Sequence, residues 1–329
     1  MTENTKIEWC DSTFNPWIGC TKVSPACDHC YAEAWDRRFA VSGHAVRWGP
    51  RAERTRTSPA NWRQPLRWNA RADAFEAKHG RRRRVFCASL ADVFDNEVPP
   101  SWRAELFAMI ACTPHLDWLL LTKRIGNVAS MIEAPGMQKC GLPANVWLGA
   151  TIVNQAEADR DLPKLLDTPA AVRFLSIEPM LGDIRLGSFL QRSPSAAYAA
   201  GRVTPEMPAW TRIGSTAIDW VICGGESGPK ARPMHPDWAR SLRDECAGAG
   251  VPFMFKQWGE WVPRGPESMG YPSIDGVPRI RLTDRGENGQ RLDARGGNDV
   301  WMQRAARKQA GRLLDGVAHD GFPGSARAA

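Results

Sequence analysis

The sequence predicts an α/β fold in which a parallel sheet curls into a partial or closed (β/α) barrel of about six or seven strand–helix units. Three observations predict it. Short continuous apolar runs alternate with stretches of helical composition, the pattern of strands covered by helices on both faces. Each run ends in a polar or charged cluster, as in barrels whose reactive groups collect at the carboxyl ends of the strands. The chain, at 329 residues, is long enough to bury such a core.

Taken in order, a first strand is expected beside the cysteine-rich loop that begins at Phe14, and Tyr31 to Val41 reads as a short helix. Gly43 to Asn69, rich in Arg, Pro and Trp, reads as an irregular excursion, and residues 70–80 return to helical composition. The repeated pattern then begins. VFCASL from Val85 precedes a helix from Trp102 to Cys112, WLLL from Trp118 a short helix near Val128, and VWLGAT from Val146 a helix from Ala156 to Leu166. VRFLSI from Val172 precedes an insertion, Leu186 to Ala217, read as a surface loop or lid. DWVICG from Asp219 precedes a helix from Pro236 to Ala249, and PFMFKQW from Pro252 closes the series. Residues 1–260 are thus read as the barrel and 261–329 as an extension packed on it. Within that extension a hairpin is expected at Arg279 to Leu292 and a helix at Trp301 to Leu314, with SARAA at the end disordered.

No apolar run approaches the roughly 20 residues of a membrane span, and MTENTKIEW lacks the basic and apolar regions of a secretory signal. A cytoplasmic protein that does not enter the membrane is expected. The net charge of +7 permits a polyanionic partner. Arginines interleave with Trp62 and Trp68 between Arg51 and Trp68, and Arg81 to Arg84 are consecutive. Phosphate pairing with base stacking is one reading of these stretches, and solvated surface the other. Most of the fifteen tryptophans lie in apolar patterns and read as core.

The distinctive stretch is FNPWIGCTKVSPACDHCYAE, Phe14 to Glu33, with Cys20, Cys27 and Cys30 spaced C-x6-C-x2-C. Three thiolates on a turn-rich segment can converge on a metal or an iron–sulfur cluster. Four protein ligands are usual for structural zinc and electron-transfer clusters, so three leave one position open. A fourth ligand, Cys10 or His29, would instead close a structural zinc site. The scattered Cys87, Cys112, Cys140, Cys223 and Cys246 read as small apolar side chains.

The run NPWIGC...CDHCY resembles the cluster loop of radical S-adenosylmethionine enzymes, particularly the spore photoproduct lyase branch. The whole chain resembles the phage-associated three-cysteine-motif family, through VFCASLADVF, WLLLTKR, WLGATIVNQ, RFLSIEPML, DWVICGGESG, FKQWGEW and AGRLLDG. The resemblance departs at the first spacer, TKVSPA, which has six residues where the radical enzymes have three. It implies a radical-SAM-like barrel in which Cys20, Cys27 and Cys30 bind a [4Fe-4S] cluster. The open iron would chelate S-adenosylmethionine and yield a 5'-deoxyadenosyl radical for nucleic-acid base repair or modification, with a dedicated protein partner. His29 would stand where these enzymes carry an aromatic residue against adenine, with Tyr31 beside it.

The strand ends supply the remaining candidates. Ser89, Asp92, Glu178, Gly224, Gly225 and Glu226 are candidates for binding the cofactor, and Lys123 and Lys256 for orienting an anionic substrate or moving protons. Each has a structural alternative. Gly-Gly also marks tight turns, Glu178 could form a salt bridge in the barrel mouth, and both lysines could simply neutralise Glu178 and Glu226. The rival function is a non-catalytic nucleic-acid-binding protein with a structural zinc.

Overall fold

The computed structural model describes residues 3–40, 46–133, 142–191, 217–266, 269–283 and 299–324. Its main element is a seven-stranded sheet, β1 (Ser12–Phe14), β4 (Arg83–Cys87), β5 (Leu116–Thr122), β6 (Val146–Thr151), β7 (Val172–Ile177), β8 (Trp220–Gly224) and β9 (Phe253–Gln257). The strands follow one another in chain order, without the reversal of a doubly wound sheet, and the order runs open from β1 to β9. This is the strand order of a partial parallel barrel. β6 and β8 are buried along their whole length, which explains their apolar runs, and β4 is buried too although it begins with Arg83 and Arg84.

The described residues of Met1–Ala150 and Lys164–Arg173 form one compact unit; those of Thr151–Pro163, Phe174–Ser193 and Ala217–Ala329 form a second. In the first, β1 pairs with β4 in the register Ser12 to Val85, and β5 pairs with β6 in the register Trp118 to Val146. Phe14 meets Trp118 and Trp62 edge-on at 5.6 and 5.8 Å, forming its aromatic core. The crossovers are α5 (Pro100–Ala111), which starts with Pro at its first position and buries Leu106, Phe107 and Ile110, and α6 (Ile125–Ile132). The segment read as an irregular excursion is more ordered than expected. It contains β3 (Thr55–Arg56), antiparallel to β2 (Trp17–Ile18), then α2 (Pro59–Trp62) and α3 (Gln64–Ala70), followed by α4 (Ala72–His79). Ser58 caps α2 by accepting from Asn61 N, a local signal of helix start.

In the second unit, α8 (Pro236–Gly248) lies between β8 and β9 in the chain and buries Trp238, Leu242 and Cys246; α7 (Gln155–Asp167) precedes β7. The expected helix at Trp301 to Leu314 is corrected. Val300–Arg304 is the central strand, β12, of an antiparallel sheet with β10 (Trp261–Pro263) and β11 (Arg279–Leu282); only Arg307–Ala310 is helical. Pairing on both edges and burial of Met302 and Gln303 outweigh the segment's helical composition. The expected hairpin at Arg279 is realised as this long-range pairing as far as the described residues reach. The far C-terminus lies along β8 and β9, with Trp220 donating to the Gly321 carbonyl at 2.7 Å and Trp258 to that of Leu313 at 2.8 Å.

Most of the insertion, Cys140 and SARAA lie outside the described residues. No helix among the described residues is long and apolar enough to cross a membrane.

Candidate functional site

The chain leaves β1 at its carboxyl end and enters the cysteine loop through Gly19, which bridges Ala91 beyond the end of β4. Gly19 has φ of +117°, and a Cβ there would lie 2.5 Å from the Arg47 carbonyl, so both backbone conformation and space demand glycine. Cys20 bridges Trp48. Ser24 accepts from Ala26 N at 3.1 Å and caps a 3-10 turn over Pro25–Cys27, and Ala34 N donates to the Cys30 carbonyl as α1 (Tyr31–Ala40) begins. Cys27 thus ends the turn and Cys30 directly precedes the helix.

The long spacer between the first two cysteines is anchored at several points. Thr21 Oγ1 donates to the Gly49 carbonyl at 2.9 Å and accepts from Arg54 at 2.7 Å. Lys22 Nζ reaches the Asp28 carbonyl at 3.2 Å and Glu33 at 2.9 Å, strapping the loop to α1.

Above this loop stands a buried charge network drawn from the ends of β4 and β5. Arg124 Nη1 donates to Cys20 Sγ at 3.4 Å and to Asp92 at 3.2 Å, and Nη2 donates to the Thr21 carbonyl at 2.5 Å. Asp92 also accepts from Thr122 Oγ1 at 2.8 Å and from Lys123 N at 3.1 Å. Asp95, 3.6 Å from Arg124, is paired at 2.8 Å with the buried Arg54. Burial pushes the Cys20 thiol up to about 11, Asp92 adds to the rise and Arg124 opposes it. Cys20 is therefore a protonated thiol at neutral pH until a positively charged group displaces the proton, and a poor nucleophile by itself.

Among the described residues no three His, Cys, Asp or Glu side chains converge where one ion could be held. Of the two candidates for a fourth zinc ligand, Cys10 lies before β1 at the opposite, amino end of the sheet, and His29 lies within the loop beside Cys30. Three thiols on one anchored loop, with a guanidinium donating to one sulfur, suit an anionic sulfur-rich cluster, whose properties depend on such hydrogen bonds. The donor set is compatible with such a cluster.

Of the other predicted residues of this unit, Asp92 belongs to the network and Lys123 joins it through its backbone. Ser89 is a positioning group: its hydroxyl bonds Asn15 and its carbonyl accepts from Tyr31 at 2.5 Å. That bond holds the Tyr31 ring while leaving it 62% exposed; His29 is half-buried.

The second unit gathers Glu178, Lys256 and Gln257. Lys256 Nζ and Gln257 Nε2 each donate to one carboxylate oxygen of Glu178 at 2.8 Å, and Gln257 also reaches Ser227 at 3.2 Å. The glycines have a packing reason: a Cβ on Gly225 would lie 1.9 Å from the Trp258 carbonyl, and one on Gly224 3.2 Å from Glu178. Glu226 is committed to Arg232, which donates from its backbone and guanidinium at 2.6–2.8 Å.

Sequence reasoning noted Arg124 at a strand end without giving it a role, and passed over Asp95 and Arg54. Arg124 and Asp95 lie just past β5 and β4, a position that signals rim residues. Nothing local in the sequence distinguishes Arg54 from its neighbouring arginines.

The model of a protein family of unknown function, DUF5131, matches residues 4–323. The chain belongs to DUF5131. No curated protein and no solved structure matches it.

In this DUF5131 protein the consecutive arginines are used internally at the amino end of β4. Arg81 forks onto Asp11 at 2.7 and 2.8 Å, and Arg82 meets Asp117 at 3.3 Å and the Leu116 carbonyl at 3.0 Å. Arg83 stacks over Phe75 at 4.3 Å and Arg84 over Trp147 at 5.4 Å. Trp62 and Trp68 are both buried. Arg81 to Arg84, Trp62 and Trp68 are thus engaged within the fold, while Arg51, Arg63 and Arg67 are exposed.

Proposed function

We propose that the protein is a radical S-adenosylmethionine-like iron–sulfur enzyme in which Cys20, Cys27 and Cys30 hold a [4Fe-4S] cluster. The observation that supports this reading is a loop of three cysteines, anchored at the carboxyl rim of β1 and β4, with a cationic hydrogen-bond donor on one sulfur. When bound, the cluster and S-adenosylmethionine would supply one-electron chemistry and hydrogen-atom abstraction.

In this reading Arg124 donates to the Cys20 sulfur, and Asp92 and Thr122 hold Arg124 in place. Tyr31, bonded at its hydroxyl and 62% exposed, is a proposed stacking residue beside the last cysteine. Lys123 offers an ammonium to an anionic group; in the second unit Glu178, bonded by Lys256 and Gln257, is a proposed carboxylate for hydroxyl groups. A nucleic-acid base is the proposed substrate class, supported by the exposed Tyr31 and the net charge of +7. The dedicated protein partner belongs to the same proposal.

The test is iron, acid-labile sulfide and zinc content per chain after anaerobic purification, for wild type, Cys30→Ala and Cys10→Ser. About four iron and four sulfide are expected, lost in Cys30→Ala and retained in Cys10→Ser. One zinc without sulfide, lost in Cys10→Ser, would overturn the proposal in favour of a zinc-stabilised binding protein.

A further inference from the structure

We infer that Arg124 is a positioning residue that makes Cys20 electronically distinct from Cys27 and Cys30 and raises the reduction potential of the group they hold. The inference rests on the cluster reading above.

The geometry is specific. One guanidinium spans both the sulfur of Cys20 and the carbonyl of the next residue, Thr21, at 3.4 and 2.5 Å. Its own placement is fixed at several points. Arg124 N donates to Thr122 Oγ1 at 2.9 Å, and the same hydroxyl donates to Asp92, which in turn accepts from the Arg124 guanidinium. Among the described residues neither Cys27 nor Cys30 has a charged donor on its sulfur, so any electronic effect falls on one of the three.

The ion pair with Asp92 fixes Arg124 in the network, and the donation to Cys20 Sγ is made in addition to it. Asp95 already has the buried Arg54 at 2.8 Å, and Asp92 already accepts from Thr122 and from the backbone of Phe94 and Lys123. Side chains of Arg54, Asp92, Asp95 and Arg124 are all at most 7% exposed, so their two positive and two negative charges balance in a poorly screened setting. A thiolate at position 20 therefore adds one negative charge beside a donor that is already in place.

The sign follows from electrostatics. A cation and an N–H donor at a ligand sulfur favour the more electron-rich, reduced form and raise its potential. A carboxylate at the same place does the opposite. Removing Arg124 and removing the charge of Asp92 must then move the potential in opposite directions, whereas damage to a merely structural network would move both the same way.

The experiment is a spectroelectrochemical titration of the reconstituted full chain, with iron and sulfide measured on each sample. Arg124→Met is expected to keep wild-type iron content and shift the midpoint potential to more negative values, with Arg124→Lys recovering part of the shift. Asp92→Asn is expected to shift it to more positive values. If Arg124→Met does not load, the Arg124→Lys and Asp92→Asn shifts still decide the question. Loaded variants with unchanged potentials, or shifts of the same sign, would overturn the inference while leaving the cluster reading intact. A wild-type protein without iron would overturn the reading itself.

Discussion

Arg54 and Asp95 form an ion pair at 2.8 Å with side chains 0% and 2% exposed, and the same arginine reaches the cysteine loop at Thr21 and accepts no help from solvent. Arg54 also donates to the carbonyls of Arg47, Gly49 and Ala52, so one buried side chain organises the segment that returns to the loop. An arginine in a basic stretch is here an internal fastener. It holds the spacer between Cys20 and Cys27 in place.

Arg54→Met should be strongly destabilising, since it leaves Asp95 buried with less compensation and several carbonyls without donors. Breaking a buried pair by removing one partner costs about 3–5 kcal/mol. Chemical denaturation of the variant against wild type measures this; a loss below about 1 kcal/mol would show that the segment is held by other contacts.

Gly225→Ala should disrupt the approach of the β8 end to Trp258, because the new Cβ would lie 1.9 Å from a backbone carbonyl that cannot move alone. A loss of about 3 kcal/mol or more is expected. Gly182→Ala, whose Cβ would meet nothing within 4 Å, serves as the neutral control in the same melting series.

Asp315 closes a charge cluster beside a cavity of about 470 Å³ lined by Arg240, Tyr271 and Asp237 among others. The hydrogen bond from Arg240, aided by those from Tyr271 and Arg243 and opposed by burial, holds its carboxyl down to about 2. A carboxylate lowered by folding stabilises the fold above its unfolded value, 3.8, and loses that contribution as the pH falls toward about 2. Asp315→Asn should cost about 1 kcal/mol at neutral pH, allowing for screening, and almost nothing at pH 2. Equal losses at both pH values would refute the linkage.

Arg83→Glu should lower stability and leave oligonucleotide affinity of the folded protein unchanged. The side chain is 10% exposed, packs over Phe75 and donates to Ser12 at 3.0 Å, so the cost is that of a buried charge reversal. Thermal melting and a binding titration at two salt concentrations separate the two effects. Weakened binding by a fully folded variant would restore the amino end of β4 as a nucleic-acid surface.

Lys256→Met should weaken the second unit through Glu178, whose carboxylate keeps Gln257 as its side-chain donor among the described residues. In a double-mutant cycle with Glu178→Gln the coupling should be about 1 kcal/mol, since both groups are largely enclosed. A coupling near zero would show that the pair adds nothing to the fold.

What the sequence determined by itself is local. Apolar runs such as VWLGAT and VRFLSI became β6 and β7 over the same residues, because a strand covered on both faces needs nothing beyond continuous apolar character. Pro236 marked a helix start, and the cysteine spacing marked the loop, because turn and cap chemistry is read over a few neighbouring residues. What the tertiary structure decided depends on partners far along the chain. Arg124 meets Cys20 across 104 positions. Arg81 to Arg84, alike in sequence, separate into salt bridges and ring contacts according to what the neighbouring strands present. Val300–Arg304 became a strand because two others were there to pair with it. Charge and composition carry no record of such distant neighbours, so the roles of these residues become definite only when folding brings their partners within reach.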